Sequence, residues 1–116
     1  MENLKAKAYE LREDVIKMIV EGKGGHIGGD MSVMDILVTL YFDQMNISPE
    51  NMDDPNRDRF VMSKGHSVEA LYAVLAAKGF FPIEKVIKEI SKFGSPFIGH
   101  PNNKLPGIEM NSGSLG

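Results

Sequence analysis

The chain has 116 residues, a formal net charge of −3 and no cysteine, which bounds it to one domain or part of one and excludes disulfides and thiolate metal sites. Lysine and arginine are dispersed, so neither nucleic acid nor a charged membrane surface is an expected partner. The first residues lack an apolar signal core, and the longest apolar run, Ala70 to Ala77, falls short of the roughly 20 residues a span requires; the expectation is a soluble, cytoplasmic protein.

In chain order, Leu4, Ala8, Leu11, Val15, Met18 and Ile19 recur at helical spacing and predict an amphipathic helix that stops at Gly22-Lys23-Gly24-Gly25. A second helix is expected from Ser32 to Met45, with Ser32 as N-cap and Asp35 completing a capping box. The polar, proline-containing stretch 46–58 reads as a surface loop, and Arg59 to Ser63 as a short strand. Ser67 to Lys78 is a third helix, apolar nearly all round, so that strand, glycine turn and helix would form half of a βαβ unit. Pro82 opens a fourth helix with Ile83, Val86, Ile87, Ile90 and Phe93 on one face, closing at Gly94. From Gly94 onward the chain is rich in glycine and proline and has no helical period, as functional or disordered segments are. Helices this apolar, with a single strand, predict docking onto more polypeptide.

All three histidines follow a glycine: Gly25-His26, Gly65-His66 and Gly99-His100. With 12 glycines in the chain, composition alone gives this arrangement roughly once in a thousand such sequences. Glycine lets backbone and ligand approach closely at a tight turn, so three such turns predict one polar site gathered from distant loops. His66, in Ser63-Lys64-Gly65-His66-Ser67, is placed where a buried helix begins, and a helix N-terminus with an imidazole suits a phosphate or diphosphate; the alternative is a histidine that only caps the helix. His26 lies in a glycine-rich turn that could be purely structural, and Pro101 fixes the direction of His100 in what could be only a rigid loop. A three-histidine zinc site is disfavoured because no two histidines share a short segment. Asp30 and Asp53-Asp54 read as a helix-start acid and a solvated loop rather than metal carboxylates.

Taken in order, Gly25-His26-Ile27-Gly28-Gly29, Asp58 to His66, Phe93-Gly94-Ser95, Gly99-His100-Pro101 and Ser112-Gly113-Ser114-Leu115-Gly116 resemble the N-terminal part of transketolase across the whole chain. The Ser-Lys-Gly-His form is most similar to the N-terminal subunit of transketolases made of two chains. The resemblance implies an α/β fold, of which residues 1–116 are the helix-rich first portion of a parallel-sheet, thiamine diphosphate-binding domain. It implies transfer of a two-carbon ketol unit from a ketose phosphate to an aldose phosphate, with thiamine diphosphate and Mg2+ as cofactors. His66 resembles the residue that contacts the cofactor diphosphate. His26 and His100 resemble the pair that faces the reacting carbon and substrate hydroxyls, where an imidazole can relay protons near neutral pH. Gly113, Ser114 and Leu115 resemble residues lining the cofactor. The family's metal-binding motif and its pyrimidine-binding domain would lie beyond Gly116, so no metal ligand is expected here, and a complementary segment or C-terminal subunit is the expected partner in a homo- or hetero-oligomer. The isolated chain should be inactive. Rival readings are a related enzyme such as deoxyxylulose phosphate synthase, and a non-catalytic remnant that only binds a partner.

Overall fold

A computed structural model describes residues 3–113 and 115. Helix α1, Leu4–Gly22, begins where the Asn3 side chain accepts from the Ala6 N–H at 3.1 Å, satisfying one of the donors that a helix start leaves open. Its Ala8, Leu11, Val15 and Met18 form the buried stripe expected from their spacing. The helix ends with Lys23 in the left-handed region at φ 58°, the Lys23 N–H reaching the Val20 carbonyl and the Gly24 N–H the Ile19 carbonyl. This is a Schellman closure. Its left-handed position falls on lysine, not on one of the neighbouring glycines.

Helix α2, Ile27–Thr39, starts five residues earlier than its sequence suggests. Gly28 and Gly29 lie inside its first turn, and Ser32 is a helical residue whose hydroxyl donates back to the Gly29 carbonyl. No capping box forms between Ser32 and Asp35. The Asp35 carboxylate instead pairs with Arg12 of α1 at 3.3 Å. Beyond Thr39 the helix widens into a π-type turn, Leu40–Gln44. After the loop and a 3₁₀ turn at Pro49–Asn51, residues 59–63 form no regular element, with Met62 buried and Phe60 edge-on to Tyr41 at 5.8 Å. No strand forms among the described residues: no segment pairs with 59–63 to make a ladder. The expected half βαβ unit is therefore absent from them, and they form a helical body.

A 3₁₀ turn, Gly65–Ser67, leads into α3, Val68–Lys78. Every residue from Val68 to Leu75 is buried, because α1, α2 and α4 all pack on α3 and the C-terminal segment crosses it. The chain itself thus covers α3, the most apolar helix, so that helix's composition no longer requires a partner. Helix α4, Ile83–Glu89, ends sooner than predicted. Ile90 turns extended, Ser91 adopts φ 59°, and the Ser91 N–H bonds the Phe97 carbonyl at 2.9 Å, which reverses the chain and leaves Phe93 fully exposed. The segment after Gly94 has no helix but is packed. Tyr72 donates to the Ile98 carbonyl at 2.6 Å, and Tyr72, Phe81 and Phe97 meet edge to face. Leu105 and Ile108 are buried, and the Arg57–Glu109 ion pair ties this strap to the loop. Among the described residues no helix is long and apolar enough to cross a membrane.

Candidate functional site

His26 occupies the N-cap position of α2, where its side chain makes no capping bond and stays exposed. His66 sits in the turn that feeds α3. Forty positions apart in sequence, the two rings meet edge to face with centroids 5.2 Å apart and planes at 68°. Gly29 makes this meeting possible. A Cβ there would fall on the Ser67 hydroxyl and lie 3.8 Å from the His66 ring, so only glycine lets the first turn of α2 touch the turn before α3.

Gly65 receives the third histidine segment in the same way. A Cβ on Gly65 would strike the Ser112 hydroxyl and lie 3.1 Å from both Ser112 Cβ and Pro101 Cδ. The strap carrying His100, half-buried, is thereby seated beside the turn that carries His66. Among the described residues the ring contact at this site is between His26 and His66; His100 joins them through its neighbour Pro101. Gly113 and Leu115 follow on the open side of the strap, both exposed, and Ser114 lies outside the described residues.

Two acids lie beneath the rings. Asp30, in the first turn of α2, is fully buried, and Glu69, the second residue of α3, is 3% exposed. Asp30 Oδ1 accepts from the Ala70 N–H at 3.2 Å, and Glu69 Oε1 accepts from the His26 N–H at 3.3 Å, so each acid caps the start of the other's helix. Desolvation and the facing Glu69 carboxyl push the Asp30 carboxyl up to about 8. Lys64, which opposes that shift, is anchored on the Gly29 carbonyl at 3.1 Å and the Ser32 hydroxyl at 3.2 Å. Sequence reasoning identifies Asp30 only as a helix-start acid and passes over Glu69. A signal is available: Glu69 is the sole charged residue between Ser67 and Ala77, and a charge in a helix apolar all round needs a buried partner.

The face built this way offers two imidazoles, and beneath it the Ser67 and Ser112 hydroxyls are buried without a partner. Imidazole N–H donors suit an anion with several oxygens. Among the described residues no three acids or histidines converge as metal ligands. A groove of about 350 Å³ between α1 and α2, lined by Tyr9, Arg12, Asp35 and Val38, contains none of the histidines. In the histidine cluster His26 is exposed, and His66 and His100 are half-buried.

The chain is similar to known proteins along its whole length. The chain is 47% identical over its full length to an apulose-4-phosphate transketolase subunit from Phocaeicola vulgatus, covering 41% of that protein. It is 41% identical to the 6-deoxy-6-sulfo-D-fructose transketolase subunit SqwG of a Clostridium species, with 98% of the chain matched to 42% of the relative. It thus spans about two fifths of the length of these relatives. A transketolase structure from Leishmania mexicana superposes on the whole chain with a TM-score of 0.87 at 31% identity, this chain corresponding to 18% of it. The family described as the transketolase, thiamine diphosphate binding domain, matches residues 4–116, and the chain belongs to that family.

Proposed function

We propose that this chain forms part of the thiamine diphosphate site of a transketolase completed by further polypeptide. The observation that carries the reading is the edge-to-face approach of His26 and His66 at the start of α3, beside two buried hydroxyls with no partner. Imidazole N–H donors fit the oxygens of a diphosphate. The described helices belong, in this reading, to an α/β domain whose parallel sheet comes from polypeptide outside residues 1–116. That polypeptide also brings the Mg2+ ligands and the pyrimidine-binding domain, as a complementary segment or a C-terminal subunit, in a cytoplasmic oligomer.

Bound thiamine diphosphate supplies the electron sink that lets a two-carbon ketol unit pass from a ketose phosphate to an aldose phosphate. The residues of this chain bind and orient. His66 donates a hydrogen bond to the diphosphate from the turn that α3 holds in place. His26, exposed at the start of α2, and His100, directed by Pro101, hold or move a proton at the substrate hydroxyls and carbonyl. Gly113, Ser114 and Leu115 line the cofactor along the strap. Catalysis in this reading needs polypeptide beyond residues 1–116, so those residues by themselves should be inactive.

Calorimetric titration of thiamine diphosphate with Mg2+ tests this, first into the chain alone and then into the chain combined with its complement. Binding is expected only in the combined sample. His66→Ala should weaken it tenfold or more, the loss of one hydrogen bond to a charged group being worth about 1.5–3 kcal/mol. A folded mixture that binds nothing, or binding indifferent to His66, would overturn the reading in favour of a surface that only contacts a partner.

A further inference from the structure

We propose that Asp30 and Glu69 share one proton and act together as a positioning pair that fixes His26 against His66. The geometry supplies the argument. Asp30 stands on α2 and Glu69 on α3, and each accepts a backbone N–H from the other side of the contact, Asp30 from Ala70 and Glu69 from His26. Those two bonds cross-link the two turns that carry the histidines. Asp30 Oδ2 is buried with no donor, although the Glu69 carboxyl faces it. Two ionised carboxylates offer only acceptors to one another, so an O–H on one of them is what completes the contact.

The surroundings allow one negative charge and disfavour two. From the turn before α3, Lys64 brings a single positive charge to the pair, but its ammonium is spent on the Gly29 carbonyl and the Ser32 hydroxyl. From α3, Tyr72 faces Glu69 and is itself pushed above its usual range, by burial and then by that acid. His26 and His66 lie on the open side, and Arg12 of α1 reaches the Met31 carbonyl, one residue on from Asp30. A shared proton leaves −1 on the pair against +1 on Lys64, so the ground beneath the imidazoles is neutral and an anion can sit above it. Gly25 fits the same design: a Cβ there would lie 3.3 Å from Glu69 Oε1 and 2.8 Å from Ile19, so glycine lets the chain pass closely over the acid to reach His26.

The bearing on catalysis rests on the transketolase reading, but the test uses no cofactor and stands apart from it. Carboxyl-carbon and imidazole NMR signals of the full chain, labelled at aspartate, glutamate and histidine, are followed across pH. The expected result is one carboxyl of the pair titrating near pH 8, far above an ordinary carboxylate, with the ring signals of His26 and His66 moving at that same midpoint. In Glu69→Gln the amide N–H stands in for the shared proton while its oxygen still accepts from His26, so the high midpoint should move down in both carboxyl and ring signals, burial alone still holding Asp30 above the ordinary carboxylate range, and the inter-ring NOE should persist. Asp30 and Glu69 both titrating in the ordinary carboxylate range in the unsubstituted chain would overturn the proposal, and that measurement requires no variant to fold. Ring signals that ignore the high midpoint would overturn the positioning role.

Discussion

Gly65→Ala probes the joint on which the site depends. Gly65 has no positive φ, so its glycine is required by space alone, and the added methyl group measures how closely the strap is seated. That methyl lands on the Ser112 hydroxyl and lies 3.1 Å from Ser112 Cβ and from Pro101 Cδ, whereas unstrained carbon contacts lie at about 3.5–4.0 Å. Relief needs a shift of roughly half an ångström or more in a segment held by the Tyr72–Ile98 bond and the Arg57–Glu109 pair. Neither a proline ring nor a serine Cβ can swing aside by changing rotamer. Overpacking of this kind costs about 1–3 kcal/mol, and two backbone-bound obstacles argue for about 2 kcal/mol, or a fall in Tm of roughly 6–10 °C at this chain length.

Chemical denaturation of the unsubstituted chain, Gly65→Ala, Ser112→Gly and the double variant completes a thermodynamic cycle. Ser112→Gly alone should cost about 0.4–1 kcal/mol through the freer unfolded chain. It removes both serine atoms in the way and an unpaired hydroxyl, so the double variant should be about 1 kcal/mol more stable than the sum of the single effects. A cost below about 0.5 kcal/mol for Gly65→Ala, or additivity within about 0.3 kcal/mol, would show that Ser112 and Pro101 are not seated on Gly65 and would break the link between His66 and the strap.

The carboxyl pair carries a pH signature: a proton held more tightly by folded than unfolded Asp30 stabilises fully below the ordinary carboxylate range and is lost as pH rises through about 8. Stability of the unsubstituted chain relative to Asp30→Asn should therefore fall between about pH 4 and 8, by at most about 1.4 kcal/mol per pH unit, and a flat difference in urea midpoints would refute it. Lys23→Gly relieves a left-handed residue with a side chain and should raise stability by about 0.5–1 kcal/mol; a loss in the same denaturation assay would show the Schellman turn is not the helix end. Tyr41→Phe removes a buried hydroxyl without a partner, so thermal melting should leave Tm unchanged or raise it, the gain being up to about 1 kcal/mol; destabilisation would reveal a hydrogen bond to that oxygen.

What can be read from the sequence follows from what local chemistry encodes. The stripe Ala8, Leu11, Val15, Met18 is buried as its spacing requires, because a 3.6-residue period places those side chains on one face whatever packs against it. The start of α2 escapes such reading for the opposite reason. Gly28 and Gly29 have poor helix propensity, and only the tertiary approach of Ser67 and His66 to Gly29 explains why a helix begins there. Segment 59–63 has strand-like residues but pairs with no other segment among the described residues, and a strand is a property of two segments, not one. The histidines are visible through their glycines, yet their mutual placement is not, since the 5.2 Å contact between His26 and His66 depends on how α2 and α3 cross. Least legible is the support beneath them. An acid at position 30 and another at 69 become a unit only when both helix starts are buried against each other, and burial is what turns two ordinary carboxylates into a pair that must hold a proton. Residues that meet a ligand can announce themselves by motif; residues that hold them in place are defined by packing, and it is the packed structure that identifies them.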